Sequence, residues 1–295
     1  MKLYAPKYYK DFICIADKCT RSCCIGWEID IDENTLSKYK LLNHPYSAEI
    51  QKSIINNKTP HFQLCNNVRC YHLDNNGLCK IIKNVGEEYL CGICREHPRF
   101  YNFTNNGKEV GIGMSCVEAC RIILNSDNFD EIVEIDSVDG DVQVYDFDAI
   151  SNRDTVFRIL KDNSIDFDGK VEMIFDYFDL YIDENDINTI VGELEYLDIS
   201  HKKLFSTTSL CVHQENTQDM LSRIMAYFVF RHCSEAQDFD EFFAGLGFSV
   251  FCTKLIEQIS TIENIYDVAR IVSEEIEYSE ENTERIKSMF YEETF

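Results

Sequence analysis

The chain has 295 residues, 45% of them hydrophobic and 13% aromatic, which is enough apolar material for one large packed domain or two ordinary ones. Charge is unevenly distributed: residues 1–120 carry 15 Lys and Arg against 13 Asp and Glu, whereas residues 121–295 carry 13 against 39. So acidic a segment repels phosphates, which argues against nucleic acid and membranes as partners. It favours a cationic partner such as a lysine-rich protein segment, although solubility alone also explains it.

The amino-terminal residues do not resemble a secretion signal, because lysine, aspartate and tyrosine interrupt them and no apolar core follows Met1. We expect no membrane span, since no stretch approaches the ~20 apolar residues that a span requires. The sequence therefore predicts a cytoplasmic protein. Thiols stay reduced in that compartment, so clustered cysteines indicate metal or redox chemistry and not disulfides.

The first part of the chain predicts short, punctuated elements. In chain order these are helices at residues 31–40 and 48–55, a brief strand at 61–64, a turn at 75–77 and a helix at 117–124. Asp32 is the expected N-cap of the first helix. Pro98 is expected to end any helix that carries Cys91 and Cys94. Gly107, Gly111 and Gly113 predict a loose connection before the last helix.

The acidic part predicts mostly helices, because apolar residues recur there at helical spacing. Leu221, Ile224 and Met225 are one example. Residues 142–147 alternate between apolar and polar side chains and predict a single strand. We therefore expect a mostly helical domain without a parallel sheet.

Cysteine is concentrated near the amino terminus, where eleven of the fourteen cysteines precede residue 121. These eleven are Cys14, Cys19, Cys23, Cys24, Cys65, Cys70, Cys79, Cys91, Cys94, Cys116 and Cys120. The other three, Cys211, Cys233 and Cys252, stand alone among apolar neighbours. We expect these three to pack in the core, since free cysteine behaves as a small hydrophobe.

The spacing of the early cysteines favours metal binding. Thiolates bind Zn²⁺ and iron because sulfur is soft, and a pair such as Cys91 and Cys94 lets both side chains turn toward one ion. Cys19 and Cys23 are one residue too far apart for a plant-type ferredoxin. Cys24 directly follows Cys23, so either the two ligate different metals or one binds and the other packs. Spacing alone leaves closed zinc sites and iron–sulfur sites equally supported, with redox or unligated thiols as a third alternative.

Several motifs occur in a fixed order through this region. They are Phe12-x-Cys14-x4-Cys19-x3-Cys23-Cys24-x-Gly26-Trp27-x-Ile29, Asp32, His61-Phe62-x-Leu64, Gly77-Leu78-Cys79, Gly86-Glu87-x2-Leu90-Cys91-x2-Cys94, Pro98-Arg99 and Ser115-Cys116-x-Glu118-Ala119. Together, over residues 1–125, they resemble the flagellin lysine N-methylase family. The segment from Cys19 to Pro98 is also similar to small bacterial cysteine-cluster proteins described as zinc- or iron-chelating.

The resemblance implies transfer of a methyl group from S-adenosylmethionine to lysine side chains of flagellin, with a [4Fe–4S] cluster taking part. It also implies nine metal ligands: Cys14, Cys19, Cys23, Cys24, Cys70, Cys79, Cys91, Cys94 and Cys116. Cys65 and Cys120 fall where the family is expected to have other residues and are left out. No glycine-rich loop follows a predicted strand, which disfavours a Rossmann-type methyltransferase. No residue is assigned as catalytic.

We therefore predict a mainly α protein with two domains. Residues 1–125 are expected to form a cysteine-rich, metal-binding domain with short helices and little strand, and residues 126–295 an acidic helical domain. The predicted function is methylation of lysine on flagellin or another lysine-bearing protein, with S-adenosylmethionine and a [4Fe–4S] cluster, or zinc as the alternative metal. The alternative function is a non-catalytic zinc- or iron-binding module with a helical protein-interaction domain.

Overall fold

The fold is taken from a computed structural model of the chain, which describes residues 1–66, 68–182, 184–206 and 215–291. They divide into two compact units. The helical unit comprises Met1–Phe12 and Phe100–Phe295, and the cysteine unit comprises Ile13–Arg99. This division differs from the boundary expected after residue 125, because the first strand of the chain pairs with strands that form after residue 100.

The strands and helices have the following bounds. The strands are β1 (Lys2–Pro6), β2 (Ile54–Ile55), β3 (His61–Phe62), β4 (Leu64–Cys65), β5 (Arg69–Cys70), β6 (Arg99–Thr104), β7 (Gly107–Ile112) and β8 (Ile132–Ser137). The helices are α1 (Glu33–Leu41), α2 (Ser47–Ser53), α3 (Lys80–Val85), α4 (Gly92–Glu96), α5 (Val117–Leu124), α6 (Ala149–Leu160), α7 (Phe167–Phe178), α8 (Glu184–Glu193), α9 (Ile199–Phe205), α10 (Glu215–Cys233), α11 (Phe239–Ile259), α12 (Ile265–Val272) and α13 (Glu280–Lys287). A π-helical turn, Ser273–Glu277, directly follows α12.

A mixed four-stranded sheet has the order β6-β7-β1-β8. β1 runs parallel to β7, with Tyr4 opposite Glu109, and antiparallel to β8. Gly107 begins β7 with a φ of 141°, and a Cβ there would lie 2.5 Å from the carbonyl oxygen of Lys2. The close approach of β7 to β1 therefore requires glycine at this position.

Helices α10 and α11 lie within the continuous apolar core of the helical unit. Leu221, Ile224 and Phe228 are fully buried on α10. The Asp238 side chain caps α11 by accepting a hydrogen bond from the amide of Glu241 at 2.8 Å. Apolar side chains on successive turns thus anchor these two helices in the core.

Helix α11 is long and apolar enough to cross a membrane by length and composition, contrary to the expectation that no stretch of this kind occurs. Most of it is buried inside the protein, as expected for the core helix of a globular fold. It is the one helix with these properties among the residues that the structure describes.

The cysteine unit has its own smaller core, in which Ile29, Tyr39 and Phe62 are buried. Its first helix, α1, begins after Asp32, whose carboxylate accepts a hydrogen bond from the amide of Thr35 at 2.9 Å. This cap confirms the predicted helix start.

Other sequence predictions have mixed outcomes. Helix α5 is confirmed with its expected bounds, and Cys233 and Cys252 are fully buried as predicted. Cys211 lies outside the described residues. The strand predicted at residues 142–147 is wrong, because these residues form no strand and the nearest strand is β8.

The predicted fold class is wrong in two respects. Residues 1–125 are expected to have little strand, yet they supply β1, β6 and β7, three of the four strands of the mixed sheet. The expected metal-binding domain is not formed by residues 1–125, because residues 1–12 and 100–125 belong to the helical unit. Within the described ranges, no group of three or more His, Cys, Asp or Glu side chains is placed to hold a metal ion.

Candidate functional site

Six of the predicted ligand cysteines influence one another electrostatically inside the cysteine unit, and Cys65, which is not a predicted ligand, also raises the pKa of Cys70. The six are Cys23, Cys24, Cys70, Cys79, Cys91 and Cys94. We call this set the thiol cluster. It draws on four separate segments of the chain, so the fold of the unit, and not local spacing alone, determines which thiols meet.

Short backbone pairings hold Cys24, Cys70 and Cys79 in place. The amide of Cys70 donates a hydrogen bond to the carbonyl oxygen of Cys24 at 2.8 Å, which joins β5 to the adjacent cysteine pair. Leu73 forms an isolated bridge with Cys79 across the turn that begins at Asp74. The Asp74 carboxylate accepts two backbone amide hydrogen bonds within this turn and fixes its shape.

Helix α4 carries two further thiols of the cluster. Cys91 is fully buried at its N-cap position, and Cys94 lies one turn later. The amide of Gly92 donates a hydrogen bond to the Asp32 carboxylate at 2.8 Å. The same carboxylate caps α1, so one anion stabilises the positive ends of two helices. The hydroxyl of Tyr39 lies 3.7 Å from the Cys91 sulfur.

Hydrogen bonds between thiols lower the pKa of one member of each pair. The hydrogen bond from Cys24 lowers the pKa of Cys23 to about 7, although burial opposes the shift. The hydrogen bond from Cys94 likewise lowers the pKa of Cys91, and the pKa of Cys24 and of Cys94 is raised. Each pair thus places a more acidic thiol beside a less acidic one. Thiolates are the nucleophilic and metal-binding form of cysteine.

The remaining two thiols of the cluster are protonated at neutral pH. Burial raises the pKa of Cys70 to about 11 and also raises the pKa of Cys79. Backbone hydrogen bonds oppose both shifts without reversing them. The cluster therefore has two more acidic positions, Cys23 and Cys91, set among thiols whose pKa is raised.

His72 packs in the core beside the cluster and is not free to bind a metal. Its Nδ1 lies 2.9 Å from the Tyr46 hydroxyl, and its Nε2 lies 2.8 Å from the Ser53 hydroxyl. Ser53 donates its own proton to the carbonyl oxygen of Ile50, so Nε2 carries the ring proton and Nδ1 accepts from Tyr46. Burial lowers the pKa of His72 to about 4, which keeps the ring neutral.

The other three predicted ligands are placed differently. Cys14 and Cys19 flank a short 3-10 turn, Ala16–Lys18, near the start of the cysteine unit. Cys116 is the N-cap residue of α5 and belongs to the helical unit. Six of the nine predicted ligands therefore meet in the thiol cluster, and the full ligand set stays a prediction.

The chemistry of the thiol cluster suits a soft metal, but its arrangement does not match a coordination site. Zinc and iron–sulfur centres require thiolates that converge on a common centre. In the part of the chain that the structure describes, no three potential ligands do so. Pairwise hydrogen bonds between thiols take that place.

A buried polar network in the helical unit was not found from the sequence. The fully buried Glu277 carboxylate accepts hydrogen bonds from Tyr227 at 3.0 Å and His232 at 2.9 Å, and it lies 3.3 Å from the Arg231 side chain. Burial opposes ionisation, but Arg231 and His232 hold the pKa of Glu277 below its usual value. The Tyr227 hydroxyl also accepts the amide of Met114, in the segment before α5.

Glu277 lies in the π-helical turn, a feature found frequently at functional sites. The sequence gives little indication that Glu277 is buried. Glu275 and Glu277 flank Ile276, the last apolar residue of a helical face, and such acids are normally expected to be solvated.

Three known proteins show limited similarity to the chain. It is 28% identical over 127 residues to the flagellar biosynthetic protein FliU of Salmonella muenchen, a match covering 41% of this chain and 75% of that protein. It is 27% identical over 127 residues to the lysine-N-methylases of Salmonella choleraesuis and Salmonella typhimurium, again over 41% of this chain. The match spans 32% of the length of each methylase. No family model and no solved structure matches the chain. The similarity supports a distant resemblance to lysine methylases.

Proposed function

We propose that this protein is an S-adenosylmethionine-dependent methyltransferase that acts on lysine side chains of a flagellin-like protein. The similarity to two lysine-N-methylases carries the proposal. The flagellar name of a third similar protein favours a flagellar substrate. The match spans only 32% of the length of each methylase, so lysine methylation by this chain is a proposal.

The proposed reaction is a direct methyl transfer. The lysine nitrogen attacks the sulfonium methyl carbon, the new C–N bond forms as the C–S bond breaks, and S-adenosylhomocysteine leaves with the electron pair. The amine must first lose a proton to solvent or to a base, since its usual pKa is about 10.4. The 39 acidic residues after residue 120 would attract a lysine-bearing substrate by long-range electrostatics.

The cofactors and the location are part of the proposal. S-adenosylmethionine supplies the methyl group. The [4Fe–4S] cluster, with zinc as the alternative, stays a prediction from the sequence, and no step of the transfer depends on it. Anaerobic analysis of iron, acid-labile sulfide and zinc in the purified protein tests that prediction. A cytoplasmic location is proposed because clustered free thiols persist in a reducing compartment.

The proposed function is tested by incubating the anaerobically purified full chain with S-adenosylmethionine and flagellin. We expect flagellin peptides to gain the mass of one methylene group per modified lysine, with equimolar S-adenosylhomocysteine. Cys94→Ser is expected to reduce the activity if the thiol cluster takes part, whereas Cys65→Ser is the matched control outside the predicted ligand set. A correctly folded protein that gives neither methylated lysine nor S-adenosylhomocysteine would contradict the proposal.

A non-catalytic role in flagellar biosynthesis is the second candidate. It is favoured by one observation: the match spans 75% of FliU but only 32% of each methylase. In this case the chain would bind flagellin without consuming S-adenosylmethionine. Retention of flagellin on immobilised protein, with no methylated product, distinguishes the two functions.

A further inference from the structure

Helix α7 presents to solvent a side on which apolar and acidic residues lie next to each other. Met173 and Tyr177 are one turn apart, and their exposed fractions are 44% and 62%. Glu172 and Asp176 are likewise one turn apart, and both are exposed. Residues at this spacing share one side of a helix, so the four side chains form two adjacent rows. We call these four residues, with Asp179 directly after the helix, the α7 outer face.

The apolar row of this face is not needed for the core. Val171, Ile174 and Phe178, on the other side of α7, are buried in the core of the helical unit. Tyr177 lies against Phe178, with 4.7 Å between the ring centroids, yet most of its surface is in solvent. Tyr181, shortly after the helix, is 74% exposed. Exposed apolar side chains that are grouped and rimmed by charge mark interaction surfaces.

The acids of the α7 outer face have no cationic partner among the described residues. The side chains of Glu172, Asp176 and Asp179 make no ion pair or hydrogen bond within the part of the chain that the structure describes. In contrast, the Asp168 carboxylate, one turn before Glu172, lies 2.7 Å from Nζ of Lys254. Three carboxylates at the end of α7 are therefore left without a compensating charge.

This placement of charge is unfavourable for the protein alone in two respects. Glu172 and Asp176 are like charges four residues apart, a spacing that destabilises a helix. Asp176 lies in the last turn and Asp179 follows it, where the negative end of the helix dipole repels anions. No basic side chain occupies that last turn. A bound cationic group would relieve both effects, so the charges favour a cationic partner.

The partner that fits this face presents cations beside apolar atoms. Lysine meets both requirements, because its ammonium group pairs with carboxylates while its methylene stem covers apolar surface. A tyrosine ring also attracts an ammonium group through its π face. Phosphate groups and a second copy of the same face are repelled, because they carry negative charge as well.

We propose that the α7 outer face docks a lysine-rich segment of a partner protein. The ammonium groups of that segment pair with Glu172, Asp176 and Asp179, and its apolar atoms cover Met173 and Tyr177. The proposed methyltransferase function enters only in identifying this partner as the protein substrate. Docking holds the substrate and consumes no S-adenosylmethionine, so it can be measured without the reaction.

Fluorescence anisotropy of a labelled peptide, in which lysine and leucine recur at helical spacing, tests docking to the purified full chain. The double variant Glu172→Gln, Asp176→Asn should weaken binding roughly three- to tenfold, because an exposed ion pair contributes modestly. Glu263→Gln, Asp267→Asn is the matched control, since it removes two exposed acids at the start of α12. The control should change affinity by less than about twofold. An equal loss in both double variants overturns the proposal, because the overall charge then explains the binding.

Tyr177→Ser tests the apolar row separately from the charge. It should weaken binding of the lysine–leucine peptide more than binding of an oligolysine peptide, because only the first peptide carries large apolar side chains. Equal losses for the two peptides, or no loss for either, contradict the role of this row. Unfolding midpoints in urea, followed by circular dichroism, verify that the variant is folded.

The stability of the double variant gives a second readout that a purely structural role would not produce. Glu172→Gln, Asp176→Asn removes the repulsion along α7, so we expect its urea midpoint to rise while its peptide affinity falls. A midpoint below that of the wild type, or an unchanged affinity, overturns the proposal.

The outcomes also distinguish docking from the proposed function. If the wild type methylates flagellin and the double variant binds the peptide as tightly as the wild type, the docking face is elsewhere and the function stands. If the double variant loses affinity but the wild type methylates no lysine, the proposed function fails and the docking face stands.

Discussion

Loss of the buried ion pair between Glu109 and Arg153 is expected to destabilise the helical unit strongly. Arg153→Met keeps much of the side-chain volume but removes the charge. Glu109 then remains buried at 3% exposure without the nitrogen that contacts both of its oxygens at 2.8 Å. Breaking one side of a buried pair typically costs about 3–5 kcal/mol, because the remaining charge is uncompensated. We expect a loss in that range.

The double variant Glu109→Gln, Arg153→Met separates two contributions to the loss of stability: the unpaired buried charge of Glu109 and the lost packing of the Arg153 side chain. It leaves no buried charge, so we expect it to be more stable than Arg153→Met by about 2 kcal/mol. Arg158→Met, on the exposed side of the same helix, is the matched control, with an expected change within about 0.5 kcal/mol.

Urea denaturation followed by far-ultraviolet circular dichroism measures these changes, because helices α5 to α13 lie in the helical unit. Trp27 is the only tryptophan and belongs to the cysteine unit, so its fluorescence follows that unit separately. The reasoning is refuted if Arg153→Met costs no more than Arg158→Met, or if the double variant is less stable than the single one.

Three further variants test other parts of the fold. Asp32→Asn is expected to cost the cysteine unit about 1 kcal/mol near neutral pH, because the carboxylate caps α1 and holds Gly92. Although burial opposes the shift, hydrogen bonding lowers the pKa of Asp32 from 3.8 to about 2. The extra stability of the wild type over Asp32→Asn is therefore full above pH 3.8 and is lost as the pH falls through 2. Trp27 fluorescence during urea unfolding measures this difference, and a difference that persists at about pH 1.5 contradicts the prediction. Glu277→Gln is expected to cost about 2–4 kcal/mol by circular dichroism, because its arginine and histidine partners lose a buried anion, whereas the exposed Glu263→Gln changes little. Gly107→Ala is expected to cost roughly 1–3 kcal/mol and to speed hydrogen exchange of the β1 amides; unchanged exchange would contradict the pairing of β1 with β7.

Local elements were predictable where the sequence carries a local signal. Asp32 precedes α1 with an acceptor side chain at the N-cap position, and the apolar spacing of residues 117–124 matches α5 at both ends. These features depend on residues within one or two helical turns. Structure that is determined over such short distances can be recognised without knowledge of the fold.

The mixed sheet was not predictable in the same way. β1 pairs with β7 across more than a hundred residues, and no local pattern records that pairing. Gly107 and Gly111 indicated a loose connection, yet both lie in β7. Gly111 leaves room for the ring of Phe100, which an added Cβ would overlap. Glycine here reflects close packing between strands.

The candidate sites show the same limit. The family resemblance implied a ligand set that contains all six members of the thiol cluster but also Cys116. Cys116 belongs to the helical unit, because β7, which precedes it, pairs with β1. Arg153 lies on α6, where a charged side chain is normally expected to be solvated. Its burial is compensated by Glu109, 44 residues earlier in the chain, so this buried ion pair could be found only in the folded protein.

The central claim is tested most directly by following the methyl group itself. Purified full chain is incubated with flagellin and S-adenosylmethionine that carries a deuterated methyl group, and flagellin peptides are analysed by mass spectrometry. The account predicts that the deuterated methyl group appears on lysine side chains and that S-adenosylhomocysteine forms in equal amount. Flagellin lysines without the label, in the presence of folded protein, would contradict it.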